Sequence, residues 1–366
     1  MAAMIDDFRH GAPARPIVSG AVAPAHIQAR FHVARIAPFT HLFRHSFEIE
    51  ALNREAMDPN PAFHPAAIAA FAMSSGLAPR LRLVLVHDAD GVLRAFAPVV
   101  ARSMGAPFRL PRVLMVAGID DATPLIDRAA PDAAGTLVEG LAELGGARFD
   151  RIPAASETFA ALVTAADALR NLRHAESAAG DQMGLDCMHH APVADPDYRH
   201  DLDAARRELE HRFGKLKFER LRSNSAVARA ADELRAFLPG ANLPQGLDSL
   251  ARADADDACL VLHRLRAGKL TLAISAGLVA GSRYAGLVIG FNRSADAPTT
   301  PPVFSVMLSE ALLRDADISH ATGGPSFISP AWHAEPLAML SVGTSMQLEA
   351  DRALGGLARL MRERAG

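Results

Sequence analysis

The chain repeats itself at a fixed offset. Leu83-Val84-Leu85 followed by Gly91-x-Leu93 returns, 177 positions later and without a gap, as Leu260-Val261-Leu262 followed by Gly268-x-Leu270. Each copy has two apolar runs joined by a polar turn, Asp88-Ala89-Asp90-Gly91 in the first and Leu265-Arg266-Ala267-Gly268 in the second. Short apolar runs flanking a glycine turn signal a β-hairpin, because glycine accepts the positive φ such turns often need. The sequel is duplicated too. Pro131 to Leu144 and Pro302 to Arg314 read as amphipathic helices, with Leu137, Leu141 and Leu144 spaced like Leu308 and Leu312. Each helix runs into a short candidate strand, Phe149–Ile152 and Asp317–Ser319. Hairpin, crossover helix and strand form the repeated unit, and such a repeat constrains the architecture before any single motif does.

A chain of 366 residues is long enough for two such units, each with its own core. The expected division is a disordered leader over 1–36, a first domain over 37–195 and a second over 196–366. The leader is rich in Ala, Pro and Gly and has no apolar stretch after a basic start, unlike a signal peptide. A net charge of −3 gives no footprint for nucleic acid, and no apolar run reaches membrane-spanning length. With only Cys187 and Cys259 present, no disulfide framework is implied and a cytoplasmic setting is expected.

Along the chain, Thr40 to Arg54 has a helical pattern, and Pro65 to Met73 starts a helix with proline in its first turn. Arg112–Ala117 is a third apolar segment, and Ser156–Ala175 reads as a helix. Gly180 to Asp197 reads as irregular and marks the domain boundary. The second half opens on a helix whose apolar face is Leu202, Ala205, Leu209 and Phe213, closed by Gly214. Lys215–Leu221 then alternates like a strand, and Ser225–Leu238 is helical. The fold class this order predicts is mixed α/β, or α+β.

The run "YRHDLDAARRELEHRFGKLKFERL" starting at Tyr198 resembles the signature of the cellulose-biosynthesis (CelD-type) acetyltransferase-like family, a branch of the GNAT acyltransferases. Three other stretches are similar to that family: "FEIEALNREAMDPNPAFHPAAIAAF", the hairpin "VHDADGVLRAFAPVV" and the strand "FDRIP". Together they reach from about Ala37 onward. The resemblance implies two tandem GNAT-like domains, acetyl-CoA or another acyl-CoA as co-substrate, and a small-molecule or saccharide acceptor in polysaccharide or cell-envelope metabolism. Two departures stand out. Where the family pairs Pro with Gly ahead of the crossover helix, this chain has Pro301-Pro302, and proline offers no amide to a phosphate. In the late motif, "ADISHATGGPSFISPAW", Asp317 and Trp332 are kept, Phe327 replaces a tyrosine, and the lysine is missing.

Acyl transfer needs a base for the acceptor, a donor for the oxyanion and free helix amides for the pyrophosphate. The candidate bases are Asp317 and His320. Val303, Phe304 and Ser305, at the expected start of the second crossover helix, are the candidate phosphate amides. Arg206 and Arg207 are candidate donors to the acceptor, and Trp332 could stack on a sugar ring. The bland readings are a solvated helix face for the arginines and a core role for Trp332. Cys187-Met188-His189-His190 holds potential metal ligands, but adjacent residues do not face one ion, so no metal is expected. The alternative from another class is a catalytically silent GNAT-like binding protein attached to polysaccharide-synthesis machinery. A FemAB-type peptidyl transferase using aminoacyl-tRNA fits less well with the missing basic surplus.

Overall fold

A computed structural model describes residues 32–354, apart from 103–108, 117–120, 170–172, 179–186, 191–195, 223, 239–242, 245, 253–258, 293–299, 316–317, 319 and 323–332. The first half contains β1 (Val33–Pro38), α1 (Ser46–Glu55), α2 (Pro65–Ser74), β2 (Leu81–His87), β3 (Leu93–Val100), β4 (Arg112–Val113), β5 (Leu125–Ile126), α3 (Ala133–Glu143), β6 (Ala147–Pro153), α4 (Glu157–Ala168) and β7 (Arg173–Ala178). Then come β8 (Cys187–His190), α5 (Pro196–Phe213), β9 (Leu216–Leu221), α6 (Asn224–Phe237), α7 (Leu247–Arg252), β10 (Leu260–Ala267), β11 (Leu270–Ala280), β12 (Arg283–Phe291), α8 (Thr300–Arg314), β13 (His320–Thr322) and β14 (His333–Gly343).

One mixed sheet carries the two copies. Its strand order is β1-β2-β3-β4-β6-β14-β8-β13-β12-β11-β10-β9. From the left edge, β1, β2, β3 and β4 are successively antiparallel, and β6 joins β4 in parallel. From the right edge, β9, β10, β11 and β12 repeat that sense and β13 joins β12 in parallel. The repeated hairpins therefore occupy equivalent places. Gly91 and Gly268 adopt φ of 80° and 58° in their turns. In the first turn, Asp88 Oδ1 accepts from the amides of Asp90 and Val92 at 3.0 and 2.9 Å, which closes the loop locally.

The middle of the sheet differs from the sequence expectation. β14 is the joint: His333–Pro336 pairs with β8, while Leu337–Gly343 pairs with β6 and β7. β8 lies inside Gly180–Asp197, which the sequence marked as irregular, and its pairing with β13 and β14 supplies the order that local propensity lacks. Of the expected strand at Asp317–Ser319, Asp317 and Ser319 lie outside the described residues and Ile318 is not in a strand; β13 is His320–Thr322. The third apolar segment is strand only at Arg112–Val113, and the helix expected over Ser156–Ala175 stops at Ala168, after which β7 begins. β1 begins at Val33, within the stretch read as leader.

Local chemistry explains the helix starts. Pro61 and Pro65 open a 3₁₀ turn and α2, and the His64 ring accepts from the Ala66 amide. Ser156 caps α4 by accepting from the Phe159 amide at 3.1 Å. Gly214, at φ 90°, ends α5. The largest core cluster contains Phe63, Phe96 and Phe149 from the first half and Leu234, Leu262 and Leu278 from the second, so the halves share buried apolar surface. A polar link crosses the same boundary. Arg283, the first residue of β12, donates to Asp58 at 2.5 Å and lies 3.8 Å from the Asp121 carboxylate, all three buried. Among the described residues, no helix is long and apolar enough to cross a membrane.

Candidate functional site

In the second half, the described pairing of β12 with β13 runs from Arg283↔His320 to Ala285↔Thr322. Just past it, β12 carries a bulge: Ala276 faces Val288 and Gly277 faces Gly286, which leaves Leu287 as the extra residue. A bulge withdraws backbone groups from the ladder and re-aims them, which is why bulges gather beside active sites. A backbone N–H released from the ladder at a bulge can donate to an oxyanion.

The helix after β12 completes this geometry. α8 begins at Thr300, earlier than the sequence reading placed it, so Pro301 and Pro302 fall in its first turn. That turn normally offers free amides, and two of its positions here have none. Val303 is the first residue after Thr300 with an N–H; it and the backbones of Phe304 and Ser305 lie inside the helix.

Of the other expected residues, His320, Arg206 and Arg207 are described. His320 begins β13 and pairs with Arg283 on one side and His190 on the other. Asp317 and Trp332 lie outside the described residues. Arg207 is exposed on α5. Arg206 is half-buried, donates to Glu210 at 3.3 Å one turn along, and lies 3.9 Å from Glu310 of α8.

Arg206 instead lines a separate cleft of about 540 Å³, with Arg220, His263, Arg314 and Asp315 on its walls. Sheet register builds its floor. Arg220 of β9 and His263 of β10 are cross-strand partners, so their side chains share a face, and Asp315 at the end of α8 closes over both. Asp315 accepts a bond from Arg220 through one oxygen, and its other lies 3.4 Å from His263 Nε2. The ring meets Tyr284 edge-on at 5.6 Å, and Nδ1 is buried without a protein partner. Burial pushes the His263 imidazole below its usual range, outweighing the pull of Asp315, and Arg220 adds to the depression. Sequence reasoning passed over this cluster because His263 sits inside the apolar run that marks the repeat. The signal was the mismatch with the first copy, where Val86 holds the equivalent place.

Residues 196–309 match the model of an acetyltransferase (GNAT) domain. The first matched residue is also the first of α5. Two solved structures share the fold along most of both chains. The C-terminal domain of a protein described as a lysylphosphatidylglycerol synthetase, from Agrobacterium fabrum, aligns with a TM-score of 0.53 at 15% identity, covering 88% of this chain and 97% of that one. A conserved protein of unknown function from Bacteroides thetaiotaomicron aligns with a TM-score of 0.52 at 7% identity, covering 85% and 99%. No curated protein matches the chain. The fold is mixed α+β: the two halves of the sheet repeat one strand arrangement, and the second half carries the match to the GNAT domain.

Proposed function

We propose that the chain is an acyl-CoA-dependent transferase that moves an acyl group to a hydroxyl or amine of a sugar or cell-envelope precursor, in the cytoplasm. The observation that carries this reading is the Leu287 bulge of β12, in the half that matches the GNAT domain. The fold is shared with a domain of a protein described as a lysylphosphatidylglycerol synthetase, a name from cell-envelope chemistry, which supports that acceptor class. The finer kinship with CelD-type proteins rests on the motifs from Tyr198 and Phe47 onward.

In this scheme the unpaired backbone of Leu287 faces the developing oxyanion, and the start of α8, from Thr300 to Val303, takes the pyrophosphate. His320 and Asp317 are the bases that take the proton from the acceptor. Trp332 and the exposed Arg207 of α5 hold the rest of the acceptor, while Arg206 stays with its own cleft. With two prolines in the α8 start, affinity for the donor should be weak. Each missing charge-assisted bond is worth about 1.5–3 kcal/mol, so Kd should be tens of micromolar or higher.

Calorimetric titration with acetyl-CoA tests the reading. Saturable binding in that range, weakened by Ser305→Asp near the helix start, supports it. No binding at millimolar acetyl-CoA refutes it. Binding without turnover on any sugar or amine acceptor would favour the silent GNAT-like binding protein, the reading that Pro301-Pro302 supports.

A further inference from the structure

The first half brings together three side chains that the transfer scheme leaves unused. We propose that His45, Glu48 and His87 bind one divalent ion of the zinc class.

Topology makes the cluster. His45 is the N-cap of α1, following the 3₁₀ turn Phe39–Arg44, and Glu48 lies in the first turn of the helix. His87 ends β2, where it faces Val33 of β1 in the edge pairing. Glu48 Oε2 lies 3.2 Å from His45 Nδ1 and 3.4 Å from His87 Nε2, and the three ligand atoms all fall within 4.8 Å of one another. With metal–ligand bonds of about 2.0–2.1 Å, neighbouring ligand atoms of a tetrahedral zinc site are roughly 3.3–3.4 Å apart. The two Glu48 distances already match that edge. The third edge closes by a turn of the rings, whose centroids are 6.2 Å apart and tilted by 53°.

The donor set selects the ion. Two imidazoles with one carboxylate suit zinc or its neighbours, whereas magnesium and calcium prefer oxygen-only shells. Three protein ligands leave a fourth position for water or a small anion. Metal-bound histidines usually donate their second ring nitrogen to an acceptor. His87 Nδ1, however, is buried without a protein partner. That places the expected affinity in the micromolar range, below that of fully supported zinc sites. The ion would tie the start of α1 to the end of β2. The sequence hid the set because β1, two helices and a strand intervene between its members or flank them, leaving no ligand spacing to read.

The test uses full-length, tag-free protein titrated with zinc chloride by calorimetry and with cobalt(II) by visible absorption. The expected result is one equivalent at micromolar Kd, an intense tetrahedral cobalt spectrum, and a higher unfolding temperature with zinc. Glu48→Gln and His87→Gln should each weaken binding at least tenfold. His190→Gln, in β8, should leave it unchanged. Glu48 is exposed enough for its substitution to leave the fold intact, and the unfolding temperature of the metal-free variant checks this. Absence of binding by the wild type, an octahedral cobalt spectrum, or unchanged binding in the Glu48→Gln/His87→Gln double variant would overturn the assignment.

Discussion

Replacing Arg283 with methionine should be among the most damaging single substitutions in the molecule. Its guanidinium is the only cation bonded to Asp58 or facing Asp121 among the described contacts, 2.5 Å from the first and 3.8 Å from the second. Asp121 is 2% exposed and Asp58 7%. Methionine fills a similar volume but leaves two carboxylates buried, with only the amides of Thr158 and Thr123 donating to them. Removing one partner of a buried pair costs about 3–5 kcal/mol. One Coulomb contact at roughly 4 Å, with an effective dielectric constant near 20, is worth about 4 kcal/mol, in agreement. Burial already raises the Asp121 carboxyl above its usual value, against the opposing pull of Arg283. Its folded pKa therefore exceeds its unfolded one, and stability falls as pH rises from the unfolded value through the folded value. Without Arg283 that rise is larger, so the variant should lose more stability at pH 8 than at pH 5. The loss at pH 8 should exceed that at pH 5 by up to about 1.4 kcal/mol for each unit of added shift. Urea denaturation at both pH values measures it. Adding Asp121→Asn to the variant should recover stability and keeps the test readable if the single variant fails to fold. A loss under about 1 kcal/mol, or an equal loss at both pH values, would refute the argument.

Three further outcomes follow from the second half. His263 has a depressed folded pKa, so the unfolded chain gains its proton first as pH falls below the ordinary imidazole value, and the native state loses stability there. His263→Gln should flatten that acid limb in urea midpoints between pH 7 and 5; an unchanged slope would show that the ring does not titrate in this window. Gly277→Ala should cost about 1–3 kcal/mol, because an added Cβ would stand 2.3 Å from the Tyr284 ring that lies against His263; a near-neutral midpoint shift would contradict the packing. Pro302→Ala restores an amide in the first turn of α8 and should tighten acetyl-CoA at least tenfold by calorimetry, or the pyrophosphate is held elsewhere.

How much of this could be read in the sequence depended on whether the information was local. Periodicity, a positive-φ glycine and a proline in a first turn act within a few residues, so the hairpins at Gly91 and Gly268, α2 behind Pro65 and α5 ahead of Gly214 were legible. β8 and β14 were not, because Cys187–His190 and His333–Pro336 become strands by pairing with each other across the middle of the sheet. β13 has the same origin: His320–Thr322 is a strand through its pairing with β12 and β8. The polar clusters were the least legible of all. Arg283 finds Asp58 across 225 positions, and Asp315 finds Arg220 across 95.

The repeat says more through its differences than through its likeness. Val86 and His263 hold the same place in duplicated hairpins, and only the second copy sets a buried imidazole against an aspartate and an arginine. In the second copy, too, Leu287 leaves the ladder. Residue 87, next to Val86, is a histidine in the first copy, and its counterpart Arg264 in the second is spent on Glu219 and Glu233. A duplicated fold thus has two equivalent frames with different side chains in them. The proposed acyl transfer at the second frame and the proposed ion binding at the edge of the first are independent demands on those frames, and variants at His87 and Pro302 can separate them in one protein.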